Sequence, residues 1–295
     1  MSQTTAATNA QVHSLFRYPV KSMAGESLNQ TALTTLGIPG DRAWAVKDEV
    51  RGGIRGGKRF PALLDMQARF LTTPQADTRI EARSPAVRMQ FPDGSHVDSQ
   101  DPAINDKLSA YLGSAVSLWP ILPAEALEHY RRGTPEFEDM ETELRAAFGR
   151  TADEPLPDLS KFPQELFEYE SPPGTYFDAY PILIMSRSGL AALQADAPDS
   201  DFDVRRFRPN ILVDSDTPGY FEDAWAGQIL QIGSARLQVE LPCPRCVMTT
   251  HGFDDLPKDP SIMRTLVQSH DGHLGVYANI IEPGTIQAGD TVTVL

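Results

Sequence analysis

The only two cysteines among the 295 residues lie in Leu241-Pro242-Cys243-Pro244-Arg245-Cys246, with a proline and an arginine between them. A thiolate is the soft ligand that suits a soft or high-valent metal, and a guanidinium beside a thiol favours its charged form. Several uses of such a pair can be weighed on residue types alone. A structural zinc site takes four protein ligands and a catalytic one three, so zinc would need His251, His270 or His273, none of which stands at a zinc-ligand spacing. A redox dithiol opens a helix after a strand, whereas Val247, Thr249 and Thr250 favour continued strand, which weakens that use. Buried cysteines are also common as inert packing.

Three other stretches carry side chains suited to an anion. Tyr18-Pro19-Val20-Lys21-Ser22 ends a strand with an ammonium and a hydroxyl, and Gly40-Asp41-Arg42-Ala43-Trp44 begins another with a guanidinium. Arg205-Arg206-Phe207-Arg208-Pro209-Asn210 concentrates three arginines in a chain of net charge -14. Arginine's planar fork matches phosphate and carboxylate bidentately, so these arginines and Lys21, brought together by folding, could cradle an anionic cofactor tail. Taken singly, each is equally a surface salt bridge.

Two motifs imitate chemistry. Gly52, Gly57 and Lys58 fall in the register of a phosphate-binding P-loop, but Arg59 occupies the magnesium-binding hydroxyl position and Phe60-Pro61 follows where a helix should start. The stretch reads instead as a basic hairpin loop close to a ligand. His270-Asp271-Gly272-His273 lacks further ligands at metal spacing and reads as a loop.

The elements that must position these groups are short. An apolar fraction of 41% over this length supports one large or two moderate domains, and two is the expectation. The net charge argues against nucleic-acid binding, which needs a basic face. Two cysteines are too few for a disulfide framework or a four-cysteine iron-sulfur cluster. There is no run of about 18 apolar residues to span a membrane. The start Met1-Ser2-Gln3-Thr4-Thr5 has neither the basic end nor the apolar stretch of a signal peptide, so a cytoplasmic protein is expected.

From 12 to 120 the pattern predicts strands near 12–20, 43–47, 66–71 and 86–91, then a helix over 104–112, with turns at Gly37 to Asp41 and Pro92 to Ser95. Residues 125–174 turn acidic and proline-rich, with one helix near 138–148, and read as a solvated insertion or connection. Tyr180 to Met185 suits a buried strand, and Ser186 then caps a helix carrying Leu190, Ala191 and Leu193. Strands follow near 210–213, 229–232, 235–241 and 291–295.

Taken together, Phe16 to Ser22, Gly40-Asp41-Arg42, Phe207-Arg208-Pro209-Asn210, the cysteine pair and Glu282 to Asp290 resemble, in order, the MOSC family. The likeness is to its two-part members, which include the mitochondrial amidoxime-reducing component and its bacterial relatives. It implies an α+β fold dominated by β, with a C-terminal MOSC-type β-barrel and flanking helices packed on an N-terminal β-rich domain. The implied division is an N-terminal β-domain at 1–124, the acidic stretch at 125–174 and the MOSC domain at 175–295.

The resemblance implies a molybdenum cofactor, Mo-molybdopterin, whose metal is anchored by Cys246, with Cys243 as a neighbour. Lys21, Ser22, Arg42, Arg208, Asn210 and Arg245 would be the other cofactor-binding residues. It further implies an oxidoreductase acting on a small N-hydroxylated substrate. Its electrons would come from a separate donor protein of ferredoxin, flavin reductase or cytochrome b5 type, because the chain ends at Leu295 without a fused ferredoxin domain. The alternative is a cofactor carrier or sulfur-transfer protein without turnover. Where the animal enzymes carry small hydroxyl residues before a strand proline, this chain has Ala179-Tyr180-Pro181.

Overall fold

The computed structural model describes residues 9–77 and 79–295, so Met1 to Thr5, on which the expectation of no signal peptide rests, lie outside the described residues. In chain order the elements are β1 Ala10–Arg17, β2 Glu26–Leu28, β3 Gln30–Leu33, β4 Trp44–Asp48, β5 Ile54–Arg55, β6 Gln67–Phe70, β7 Val87–Gln90 and β8 His96–Asp98. Next come α1 Ile104–Leu112, β9 Val116–Pro120, α2 Leu127–Tyr130, α3 Met140–Phe148, α4 Glu165–Glu168, β10 Ile182–Ser186 and α5 Arg187–Asp196. The chain closes with β11 Ile211–Asp214, β12 Ile229–Ile232, β13 Ala235–Pro244, α6 Ser261–His270, β14 His273–Glu282, β15 Gly284–Gln287 and β16 Thr291–Val294.

The fold is α+β dominated by strand, and its centre is a closed barrel. Strands pair in the order β11, β10, β14, β13, β12, β16, β1, and β1 returns to β11, while β2 hangs on β1. β13 shows why: Ala235, Leu237 and Val239 are buried, whereas Arg236, Gln238 and Glu240 between them are only half-buried. That is the two-residue period of a strand with one face in a core. The closing strand β1 comes from the stretch expected to belong to the N-terminal domain. Its Val12 pairs with Val213 and its Leu15 with Ile211, covering two edges that would otherwise be open.

The N-terminal half supplies two three-stranded sheets, β5-β4-β9 and β6-β7-β8. They share a core of Val20, Met23, Val46, Leu63, Met66 and Met89 with α1. Ile104 and Leu108, one turn apart, are the buried face of α1, and Gly113 ends it at φ 66°.

The acidic stretch is more than a solvated connection. The helix α3 buries nothing, as expected of an exposed polar element. Tyr130 and Tyr169, however, pack with Tyr176 against Ala43, Ala45, Ile54 and Ile121 of the N-terminal half.

Two expectations about the C-terminal part are corrected. Residues Val247–Thr250 form a turn of 3-10 helix, not strand. The hydroxyl of Thr249 donates to the Cys246 carbonyl at 3.0 Å and that of Thr250 to the Val247 carbonyl at 2.7 Å, so local bonds replace a ladder. His270 and His273 do not share a loop: His270 ends α6 and His273 opens β14. Asp271 and Gly272 between them make the turn at φ 50° and 77°.

Candidate functional site

Lys21, Ser22, Arg42, Arg208, Asn210, Arg245 and Cys246 all line one cavity of about 60 Å³ between the two halves, together with Asp178, Tyr180, Cys243, Met248 and Tyr277. Arg208 also borders a cleft of about 610 Å³ that Phe16, Tyr18, Phe91 and Phe253 line from its other side.

The backbone is strained where the cationic residues stand. Among the described residues five non-glycine residues have positive φ, and three of them are Ser22 at 69°, Arg42 at 50° and Arg208 at 56°. Each such residue costs on the order of 1 kcal/mol or more, so the surroundings must over-determine it. The Ser22 hydroxyl accepts from Gly57 N at 2.8 Å, and Arg42 N donates to the Tyr18 carbonyl at 2.6 Å. Arg208 N is fixed on the Val204 carbonyl at 3.1 Å.

Asp41 is the hub of this arrangement. Its buried carboxylate accepts from Tyr18 N at 2.8 Å, from Asn210 Nδ2 at 3.0 Å and from Arg42 Nη1. Asn210 also accepts from Leu183 N at 3.2 Å, so its amide is committed to the framework although it lines the cavity. Two guanidiniums stand over the Tyr18 ring, Arg208 at 4.1 Å and Arg42 at 4.9 Å from its centroid. The ring's negative face attracts both cations. Burial pushes the Tyr18 hydroxyl up to about 12 against the pull of Arg208 and Arg42. Burial likewise lowers Arg208 to about 10.

Lys21 is 8% exposed and donates to Ser171 Oγ at 3.3 Å, the Tyr176 carbonyl at 2.8 Å and Asp178 Oδ1 at 2.7 Å. The crowding of protein around its carboxyl would raise Asp178, but Lys21, Lys58 and Arg42 hold it well below the usual carboxylate range, and its side chain stays 60% exposed. For Lys58 burial acts downward, while Cys246 and Asp178 outweigh it and raise the ammonium.

The two cysteines have different environments. Cys243 is 2% exposed, and its sulfur accepts from Arg245 Nη1 at 3.0 Å. Burial pushes this thiol up, with Arg245 opposing. Cys246 is half-buried and stands just past the end of β13. Pro242 and Pro244 cannot donate to the ladder, and the β13–β14 pairing shifts register between them, which releases the chain toward Cys246.

The three neighbouring arginines separate completely. Arg205 forms ion pairs with Asp203, Asp254 and Asp255 at the surface. Arg206 is buried and donates to the carbonyls of Asp201, Thr249, His251 and Pro257. Only Arg208 lines the cavity. The glycine-rich loop that imitates a P-loop has no α-helix after it, only the 3-10 turn Pro61–Asp65. A Cβ on Gly56 would stand 2.4 Å from Ser22 Oγ, so this loop packs closely against Ser22, which lines the cavity.

The residues that sequence reasoning left unassigned are Asp41, Ser171, Asp178 and Tyr277. Asp41 lies within the stretch singled out for Arg42, and Asp178 directly precedes Ala179-Tyr180-Pro181. A molybdenum cofactor brings a phosphate and a metal that takes thiolate, and the donor set can be tested against both. Arg208 Nη2 and Arg245 Nε are buried without a partner among the described residues, as donors reserved for an anion would be. Cys246 offers an accessible soft sulfur at the same cavity. The residues present fit the group.

The MOSC N-terminal beta barrel domain model matches residues 9–120 and the MOSC domain model residues 148–293. The chain is 26% identical over 309 aligned residues to the molybdenum cofactor sulfurase of Drosophila grimshawi, covering 100% of this chain and 36% of that protein. It is 26% identical over 298 residues to mitochondrial amidoxime-reducing component 1 of Xenopus laevis, covering 95% of this chain and 81% of that protein. It is also 26% identical over 310 residues to mitochondrial amidoxime reducing component 2 of Homo sapiens, at 95% and 82% coverage. The chain thus spans about a third of the length of the sulfurases it matches. Among solved structures, the YUAD protein from Bacillus subtilis aligns over 98% of this chain and 97% of its own, at 12% identity and a TM-score of 0.44.

Proposed function

The chain belongs to the MOSC family in its two-part form, and on that footing we propose that it is a molybdenum-cofactor oxidoreductase that reduces small N-hydroxylated compounds. The observation that carries the reading is the convergence of Ser22, Arg42 and Arg208, each in a strained left-handed conformation, on the cavity that Cys246 also lines. Strain of that kind is maintained where it positions function.

In this reading Lys21, Ser22, Arg42, Arg208 and Arg245 hold the phosphate tail of Mo-molybdopterin, and Cys246 supplies the thiolate to the metal. Asn210 acts one step back, by holding Asp41. When bound, the cofactor supplies two-electron redox chemistry at a metal that can take up an oxygen atom. The overall reaction balances as R–NHOH plus two electrons and two protons giving R–NH2 and water. The chain's own part is to exclude water from the anionic end, to keep the Cys246 sulfur in place, and to leave the side lined by Tyr180 and Tyr277 to the substrate. Arg245 holds Cys243, so that buried thiol does not compete for the metal.

The electrons come from a separate donor protein of ferredoxin, flavin reductase or cytochrome b5 type. A net charge of -14 favours a donor with a basic docking face. No helix among the described residues is long and apolar enough to cross a membrane. The two free cysteines suit the reducing cytoplasm.

The test is molybdenum analysis of protein made in a host that synthesises the cofactor, with the Cys246→Ala variant alongside, followed by amidoxime or hydroxylamine reduction with an artificial electron donor. Near-stoichiometric metal that is lost in the variant, together with turnover, supports the reading. Metal that is readily released without turnover would make the protein a carrier or sulfur-transfer protein, the other activity named among its relatives.

A further inference from the structure

Lys21 has three N–H donors, and all three are taken: by Ser171 Oγ, by the Tyr176 carbonyl and by Asp178 Oδ1. The three acceptors are not equally fixed. Ser171 and Tyr176 are both 0% exposed, and the Tyr176 acceptor is backbone in a packed core. The Asp178 side chain is 60% exposed and accepts only this one bond among the described residues. A phosphate gripped by Lys21 must therefore replace one partner, and Asp178 is the one free to leave.

The charges around it agree. Lys21, Arg42, Arg208 and Arg245 line the cavity, and Lys58 is close enough for the charges of Cys246 and Asp178 to act on it. The carboxylates that act on them are Asp41, Asp178 and, on Lys58, Glu170, which is already held by Arg55 and Arg132. Asp41 cannot leave, because it is buried and bound to Tyr18 N, Asn210 and Arg42.

We infer that Asp178 is an internal counter-ion that competes with the ligand's phosphate for Lys21, and that loading exchanges the carboxylate for the phosphate while Asp178 turns into solvent. This rests on the reading of the cavity as a phosphate site. It adds a selectivity device. An anion that offers charge alone must overcome Asp178 unaided, whereas a ligand that also gains contacts elsewhere, such as a metal–thiolate bond, can displace it.

The experiment is calorimetric titration of the cofactor-free full-length chain with inorganic phosphate at pH 7. Wild type is compared with Asp178→Asn, with Lys21→Met and with the double variant. Removing the competing carboxylate should tighten phosphate binding by about tenfold, the size of one uncontested charge-assisted contact. That gain should disappear in the double variant, because it acts through Lys21. Unchanged or weaker binding by Asp178→Asn overturns the inference and makes Asp178 a residue that merely orients Lys21. Absence of phosphate binding in every protein overturns the phosphate-site reading along with it. Asp178→Ser provides the same comparison should the asparagine variant fail to fold, as judged by its thermal melt.

Discussion

Asn210 Nδ2 donates to Asp41 Oδ2 at 3.0 Å across 169 residues of sequence, and this bond ties the start of β11, on which β1 closes the barrel, to the loop between β3 and β4. The same carboxylate holds Arg42 and the Tyr18 amide. Breaking a buried ion pair on one side leaves an uncompensated charge, at a cost of about 3–5 kcal/mol. Asp41→Asn should therefore lower stability in urea by roughly that amount. Removing both charges, with Arg42→Met added, should restore part of it, because the stranded guanidinium is gone. A loss below about 1 kcal/mol for Asp41→Asn would show that the hub is not structural.

The cysteines predict a division between metal and stability. Cys246→Ala should lose molybdenum and all turnover with little change in melting, since the residue is only half-buried. Cys243→Ala should keep molybdenum but lose about 1–3 kcal/mol, as a buried Arg245 N–H is left without its acceptor. Elemental analysis and denaturation of the two variants check this. Loss of metal from Cys243→Ala with Cys246→Ala unaffected would reverse the assignment.

Three arginines within four residues should behave as three different residues. Arg205→Ala removes exposed ion pairs and should change stability by about 0–1 kcal/mol, less at high salt. Arg206→Ala frees four carbonyls and should be severely destabilising, by about 3 kcal/mol or more. Arg208→Ala should leave the fold closer to intact but reduce the affinity of the cofactor-free chain for inorganic phosphate. Equal phosphate affinity in wild type and Arg208→Ala would remove Arg208 from the cradle.

The contrast among these arginines also shows what could be read from sequence. The helix at 104–112 and the Ser186 cap, whose hydroxyl accepts from Gly189 N at 2.9 Å, are local patterns and stand where their residues place them. Closure of the barrel by β1 was not legible, because its partners β11 and β16 lie about 200 and 280 residues away and nothing local specifies them. The helix α6 was hidden behind Pro260, and Thr249 and Thr250 read as strand formers until their hydroxyls were seen bonding backwards. In the site, cations stood out because a chain of net charge -14 has few to spare. The two carboxylates that organise them, Asp41 and Asp178, were concealed among 40 acidic residues. Charge rarity, more than motif, made half of the cradle visible.

The acid sensitivity of the fold should trace to His129, in the stretch that carries Lys21's acceptors. His129 Nε2 lies 2.7 Å from the Tyr176 hydroxyl, which itself donates to the Pro120 carbonyl, so the imidazole must carry its proton on Nε2. Burial, with Lys47 nearby, lowers this histidine to about 4 from an ordinary 6.5. Between those values the unfolded chain takes up a proton that the folded chain refuses. The stability His129 contributes is therefore complete above about pH 6.5 and is lost as pH falls toward 4, by about 3 kcal/mol in all. Urea denaturation of wild type and His129→Gln at pH 7.5, 5.5 and 4.5 separates this from the general titration of carboxylates. The variant should be the less stable of the two at pH 7.5, and the gap should close with acid. A gap that stays constant across the three pH values would show that His129 is not the titrating group.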